Sequence, residues 1–193
     1  MTTAELPPTA AWRHLGAREG FEVVFMRADS DGYRFDGHAT AVEDGVAWSV
    51  RYEIALDPSW ITRSARVSSR TAAGRRDVVI EADGEGGWLI DGTPAGHLAG
   101  CLDLDLEASA CTNAFPVQRL KLSIGETADA PAAYVRAIDL ELEHLAQRYT
   151  RIADDGEGER YDYVSPAFGF RAELLYDELG LVVDYPGIAV RVL

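Results

Sequence analysis

Hydrophobic positions recur with a period of two along most of this chain. Val46, Trp48, Val50, Tyr52, Ile54 and Leu56 hold one parity without a break, and Ser49, Arg51 and Glu53 mark the wetter face between them. Such alternation predicts a β-strand, whose side chains point to opposite faces in turn. Tyr33, Phe35, Gly37, Ala39 and Ala41 repeat the pattern against Arg34, Asp36, His38 and Thr40. Strands are also predicted over Phe21–Asp29, Trp60–Thr71, Val78–Ala82 and Trp88–Ile90. Asp-Gly pairs beginning at Asp31, Asp44, Asp83, Asp91 and Asp155 punctuate these runs. Asp-Gly suits hairpin turns because both central positions accept positive φ.

The alternation resumes between Leu98 and Leu122. Leu98, Gly100, Leu102, Leu104 and Leu106 share one parity, with Cys101, Asp103 and Asp105 on the other. This predicts a strand with leucines inward and acids outward. Leu120, Leu122 and Ile124, out of phase with Arg119 and Lys121, predict a second. Antiparallel pairing would set the two acids beside the two bases, each pair contributing up to about 1 kcal/mol. The intervening loop, from Thr112-Asn113 to Phe115-Pro116, is the expected seat of function, because loops on a rigid sheet often carry it. After a Gly/Ala/Pro-rich link at 125–131, Ile138, Leu140 and Leu142 alternate with Asp139, Glu141 and Glu143. One strand is predicted over Tyr134–Leu145, with a bulge near His144-Leu145. Gln147–Thr150 is expected to continue that strand, and further strands are predicted within Arg160–Val164, Phe168–Asp177 and Leu181–Leu193. The fold class is therefore all-β: a single antiparallel domain over 11–193, a β-roll or a curved, partly closed barrel with little helix. Residues 1–10, small, polar and proline-bearing, form an expected disordered segment.

Composition narrows the function classes. The chain has 193 residues, 47% of them hydrophobic, so a substantial core is available. Its formal charge of -14 repels phosphate backbones and anionic surfaces, which disfavours nucleic acid as a partner. The N-terminus MTTAELPPTA lacks the basic start and apolar run of a secretory signal, and no stretch is long and apolar enough for a transmembrane helix. The expected compartment is cytoplasmic, with Cys101 and Cys111 reduced.

Motifs for chemistry are sparse. His14, His38, His97 and His144 are scattered, with no spacing suited to a metal, so no metal site and no cofactor are expected. There is no GxSxG elbow. The run Asp83-Gly84-Glu85-Gly86-Gly87 leads into Trp88 rather than a helix, and reads as a turn. Asp103 and Asp105 are a candidate acid/base pair, since alternate strand residues share a face at a separation of roughly 7 Å. Pairing with Arg119 and Lys121 is the plainer reading. Trp48, Trp60, Trp88, Tyr149 and Tyr185 are core candidates that a barrel could also gather around a ligand, with Arg63, Asn113, Arg119 and Arg148 as polar anchors.

Several blocks carry a resemblance. Trp60-Ile61-Thr62-Arg63, the GCLDLDL run from Gly100 to Leu106, and Thr112-Asn113 with Phe115 to Leu120 occur in that order. Gln147-Arg148-Tyr149-Thr150 and Leu181 to Gly187 follow. Together, from about Trp12 to the C-terminus, they resemble the bacterial glycolipid-binding family that began as a domain of unknown function. The resemblance implies a curved β domain similar to bacterial lipoprotein and glycolipid carriers, which hold acyl chains on an apolar concave face. It brings no catalytic residues. The chain departs from those carriers in lacking an export signal, and from the family in the Ser109-Ala110-Cys111 approach to Thr112-Asn113.

The expectation is a lipid- or glycolipid-binding protein holding an amphipathic small molecule on its inner apolar face. Trp60, Arg63, Trp88, Asn113, Arg119, Arg148, Tyr149 and Tyr185 are the ligand-binding candidates. One alternative is an enzyme acting on a sugar or lipid head group through Asp103 and Asp105. The other is an interaction protein whose aromatics simply fill the core.

Overall fold

The computed structural model describes residues 6–193. Residues 1–5 of the expected disordered segment lie outside that range. Thr9 and Ala10, placed in the same segment by their sequence, instead open the first strand, and Ala10 is buried.

The first half of the chain is an antiparallel meander: β1 (Thr9–His14), β2 (Arg18–Asp29), β3 (Gly32–Glu43), β4 (Val46–Leu56), β5 (Thr62–Thr71), β6 (Gly74–Ala82), β7 (Trp88–Ile90) and β8 (Thr93–Pro94). Two of its hairpins turn where Asp-Gly predicts. Asp44 and Gly45 have φ of 48° and 77°, and Asp91 and Gly92 have 48° and 76°. Two successive left-handed residues twist the turn in the same sense as its strands. Gly37 stands opposite Tyr52 across β3 and β4, and a Cβ there would overlap the Tyr52 ring.

The chain then forms β9 (Asp103–Leu106), one helix α1 (Ala114–Leu120), β10 (Thr127–Asp129), β11 (Ala132–Val135) and β12 (Leu142–Leu145). A second meander follows: β13 (Arg148–Ile152), β14 (Glu159–Ser165), β15 (Phe170–Tyr176), β16 (Val182–Tyr185) and β17 (Ala189–Arg191). Fourteen strands make one sheet in the order β10-β13-β14-β15-β16-β17-β1-β2-β3-β4-β5-β6-β7-β8. It is large, antiparallel and not closed. The two meanders join through β1 and β17, with Trp12 opposite Arg191, and the Trp12 indole N–H donates to the Val182 carbonyl at 2.8 Å.

The inner face of β3–β7 is filled by the chain itself. β9, β11 and β12 form a small separate sheet, and every residue of β9 and β11 is buried. Phe115 of α1 packs on Phe35 with ring centroids 5.0 Å apart. Leu104 N donates to Thr62 Oγ1, Ser69 Oγ to the Ala137 carbonyl, and Trp88 Nε1 to the Cys101 carbonyl. Leu98, Leu104, Leu106 and Phe115 share one core with Trp12, Val50, Tyr52 and Ile80. The expected open apolar inner face is therefore occupied here. A second core, built on Tyr149, Tyr161, Tyr163, Tyr176 and Tyr185, lies under β13–β16.

Three expectations for this inserted segment are corrected. β9 does not pair with a strand at 119–124. It runs parallel to β11, with Asp105 opposite Tyr134, and both of its faces are buried. Residues 114–120 are helical: Pro116 sits in the first turn, where its missing N–H would be unpaired anyway, and Lys121 ends the helix at φ 47°. Tyr134–Leu145 is not one strand. It folds back between β11 and β12, with Leu140 left-handed at φ 61°, and β12 pairs in regular register without a bulge.

Candidate functional site

One hollow, of about 530 Å³, is an open groove on the outer face of β2–β6. Phe25, Asp36, Glu53, Arg66 and Val79 cross it in one row of facing residues. Every polar residue lining it is exposed or half-exposed. Charges of both signs alternate there in solvent, where they have little reason to select a ligand.

Another hollow, of about 190 Å³, is built differently. Asp105, Ser109, Asn113 and Ser165, all buried, supply its polar surface. Tyr134, Tyr163, Phe168, Phe170 and Tyr185 supply aromatic walls, and Arg18, Leu106, Glu107, Leu145 and Ile188 complete the lining. It lies between the β9–α1 segment and strands β14–β16, so residues distant in sequence converge on it. Phe168 and Ile188 keep 52% and 37% of their surface exposed, which gives the cavity an apolar rim.

Asp105 is the electrostatic centre. Its carboxylate accepts hydrogen bonds from Thr112 Oγ1 at 2.8 Å and Gln147 Nε2 at 2.6 Å. No cation pairs with it among the described residues. Burial pushes its pKa up to about 6 against the pull of those hydrogen bonds, and the charges of Asp103 and Glu107 push further the same way. Arg18, the one cation lining the cavity among the described residues, is held by Glu43 at 3.2 Å and by Glu107 at 3.5 Å.

The other polar groups have spare capacity. Asn113 Oδ1 accepts from the Tyr149 hydroxyl at 3.2 Å, which leaves its two amide donors for the cavity. Ser165, fully buried, has a hydroxyl with no hydrogen-bond partner among the described residues. Buried polar atoms are rarely left unpaired, because each forgoes about 1–3 kcal/mol.

The cavity wall is anchored from behind by Glu22. This fully buried carboxylate on β2 receives the Tyr52 hydroxyl at 2.5 Å, the Ser109 hydroxyl, and the backbone N–H of Ala110 at 2.8 Å and Cys111 at 3.4 Å. Burial pushes its pKa up, opposed by those donors. Four donors on one side chain pin the turn that leads into Thr112-Asn113.

Asp103 and Asp105 do not face one cleft. Asp103 is engaged by Arg119 through Nε at 3.0 Å and Nη2 at 2.5 Å, and does not line the cavity. Burial raises the Asp103 pKa while Arg119 pulls it back. The acid/base pair read from alternate strand positions is thus split between a structural ion pair and a cavity carboxylate, and Lys121 is exposed and pairs with neither.

The remaining candidates are dispersed. Asn113 and Tyr185 line the cavity, and Tyr149 holds Asn113 from behind. Trp60 is a core residue stacked on Tyr33 at 4.2 Å, in a left-handed turn at φ 66°. Trp88 is buried on β7, Arg63 lies exposed beside the 83–87 loop, and Arg148 is exposed and paired with Asp129 at 2.7 Å. Sequence reasoning passed over Gln147, Tyr163, Ser165, Phe170 and Glu22. The Tyr161-x-Tyr163 alternation was a usable signal for an inward aromatic face. Nothing local marked Glu22, because both parities of β2 are apolar.

Cys101 and Cys111 are buried free thiols, both with raised pKa from burial, Cys101 to about 12. Among the described residues, no cluster of three or more His, Cys, Asp or Glu is placed to share a metal ion, and no helix is long and apolar enough to cross a membrane.

The fold and its hollow define an open, barrel-like all-β protein with a small, mainly apolar cavity that holds a few buried polar groups between aromatic walls. The chain belongs to the family described as putative glycolipid-binding, whose profile matches residues 9–191. It is similar to a DUF1089 family protein from Pseudomonas aeruginosa, known from a crystal structure, at 33% identity and a TM-score of 0.79, over 100% of this chain and 98% of that one. It also shares its fold with a beta-barrel-like DUF1849 protein from Brucella abortus, at 11% identity and a TM-score of 0.55, over 98% of this chain and 96% of that one. No curated protein matches it.

Proposed function

We propose that this protein binds an amphipathic small molecule of the glycolipid or lipid class by its head group. The observation that carries this is the pairing of an unpartnered buried hydroxyl, Ser165, with an uncompensated carboxylate, Asp105, in one aromatic-walled cavity. At about 190 Å³ the cavity has room for roughly six waters' worth of ligand at about 30 Å³ each. Pockets for drug-sized ligands start at about 300 Å³, so a head group fits within this one and a long acyl chain does not fit whole. The apolar part would lie outside, across Phe168 and Ile188 at the rim.

Native mass spectrometry of gently purified protein tests the reading. A bound mass that extracts as lipid, and that disappears when Ser165→Leu fills the cavity, is the expected result. Repeatedly empty spectra, or a lipid adduct unaffected by Ser165→Leu in a folded variant, would overturn it.

A further inference from the structure

Asp105 and its surroundings say more about the head group than its size. The side chain is buried, and the cation nearest the cavity, Arg18, is already committed to Glu43 and Glu107. A sugar hydroxyl would hydrogen-bond to this carboxylate but leave the charge of a buried side chain uncompensated, which is the expensive arrangement. A positive charge on the ligand would remove that cost. The walls favour the same answer. Tyr163, Phe170 and Tyr185 pack as a trio with centroids 5.9–6.2 Å apart and ring planes at 58–78°. Rings meeting at steep angles make a corner, and the negative faces of aromatic rings attract cations. The net charge of -14 draws cations toward the protein and repels anions.

We propose that the cavity receives an ammonium group. It sits against the Asp105 carboxylate in the corner made by Tyr163, Phe170 and Tyr185, with an adjoining oxygen of the same head group meeting Ser165 and Asn113. This rests on the head-group reading above and names the chemistry of that head group. The ligand class is an amino-alcohol head group, either free or at the end of a lipid.

Calorimetric titration with choline, with its neutral isostere 3,3-dimethylbutan-1-ol, and with methyl glucoside tests the proposal. Choline is expected to bind at least about tenfold more tightly than the neutral isostere, the scale of a desolvated cation–π contact together with a paired charge. Asp105→Asn is expected to erase that preference, and Phe170→Leu to weaken choline without abolishing folding. Equal binding of choline and its isostere, or choline binding unchanged in Asp105→Asn, would overturn the inference. Preferential binding of methyl glucoside would also overturn it while leaving the head-group reading intact. Failure of all three probes would overturn it too, and the lipid mass spectra then judge the broader reading separately. Hexylphosphocholine separates the two sources: tighter binding than choline assigns a lipid head group, and equal binding assigns a free amine.

Discussion

Replacing Asp105 by asparagine is expected to make the unliganded protein more stable at neutral pH. The carboxyl is held at about 6 in the folded chain against an ordinary 3.8. Each tenfold shift in a proton equilibrium is worth about 1.4 kcal/mol, so ionising this group in place costs the fold about 3 kcal/mol. The sign follows from which state holds the proton. Well below pH 4 the group is protonated whether the chain is folded or not, and there is no cost. Between about pH 4 and 6 the unfolded chain ionises first, and the folded state loses ground. Above about pH 7 both are ionised and the deficit is constant. Asparagine preserves the local bonding. Thr112 Oγ1 donates to residue 105 at 2.8 Å, and an amide oxygen there receives the same bond. The new amide N–H then meets Gln147, whose amide can turn to present its oxygen. Urea denaturation of both proteins between pH 4 and 8 measures the effect. A gain for Asp105→Asn that grows from near zero at pH 4 to about 2–3 kcal/mol at pH 7 is expected. A loss of stability at pH 7, or a difference that does not vary with pH, would refute the idea that this carboxylate is buried without a counterion. A group that lowers the stability of the empty protein is a common mark of a site kept for function.

Other expectations follow from the same contacts. Arg119→Ala strands a carboxylate at Asp103 that is 1% exposed, and should destabilise by about 3–5 kcal/mol at pH 7 in urea melts. That loss should shrink toward pH 4 as Asp103 takes up a proton, and a pH-independent loss would contradict it. Glu22→Ala removes the acceptor for four donors and should cost at least about 3 kcal/mol. Hydrogen exchange at Ala110 and Cys111 should accelerate beyond the global change, and uniform acceleration would deny the anchoring role. Gly37→Ala drives a methyl into the Tyr52 ring and should lower stability by about 2 kcal/mol, read as a fall of roughly 5 °C in Tm. His14, buried beside Arg18 with its pKa lowered to about 4, should stay neutral by NMR titration down to pH 5.

Much of the large sheet was legible because its rules are local. The run from Val46 to Leu56 needs only its own alternation to become β4, and Asp44-Gly45 needs only its own φ preferences to turn the chain. The inserted segment was not legible for the same reason. Asp103 and Asp105 alternate with leucines as residues on a wet face do, yet β9 is covered on both sides, and what covers the acids is α1 and Gln147. A helix of seven residues is too short to show a period of 3.6, and its stability comes from packing Phe115 against Phe35 rather than from propensity. Among the site residues, Asn113 and Tyr185 could be nominated from their blocks, while Trp60 and Trp88 had equal claims and proved to be core.

The sequence by itself determined that this chain is made of strands, where many of them turn, and that it carries a strong negative charge. A period of two and a left-handed turn are properties of a few consecutive residues. The tertiary structure alone decided that the inner face is filled from within, that Asp103 finds Arg119 while Asp105 finds no cation, and that Ser165 is left without a partner. A cavity is the space that packed neighbours fail to fill, and a buried charge is costly only relative to what surrounds it. Both depend on residues brought together from β9, β14, β15 and β16, whose meeting no single stretch of the chain records.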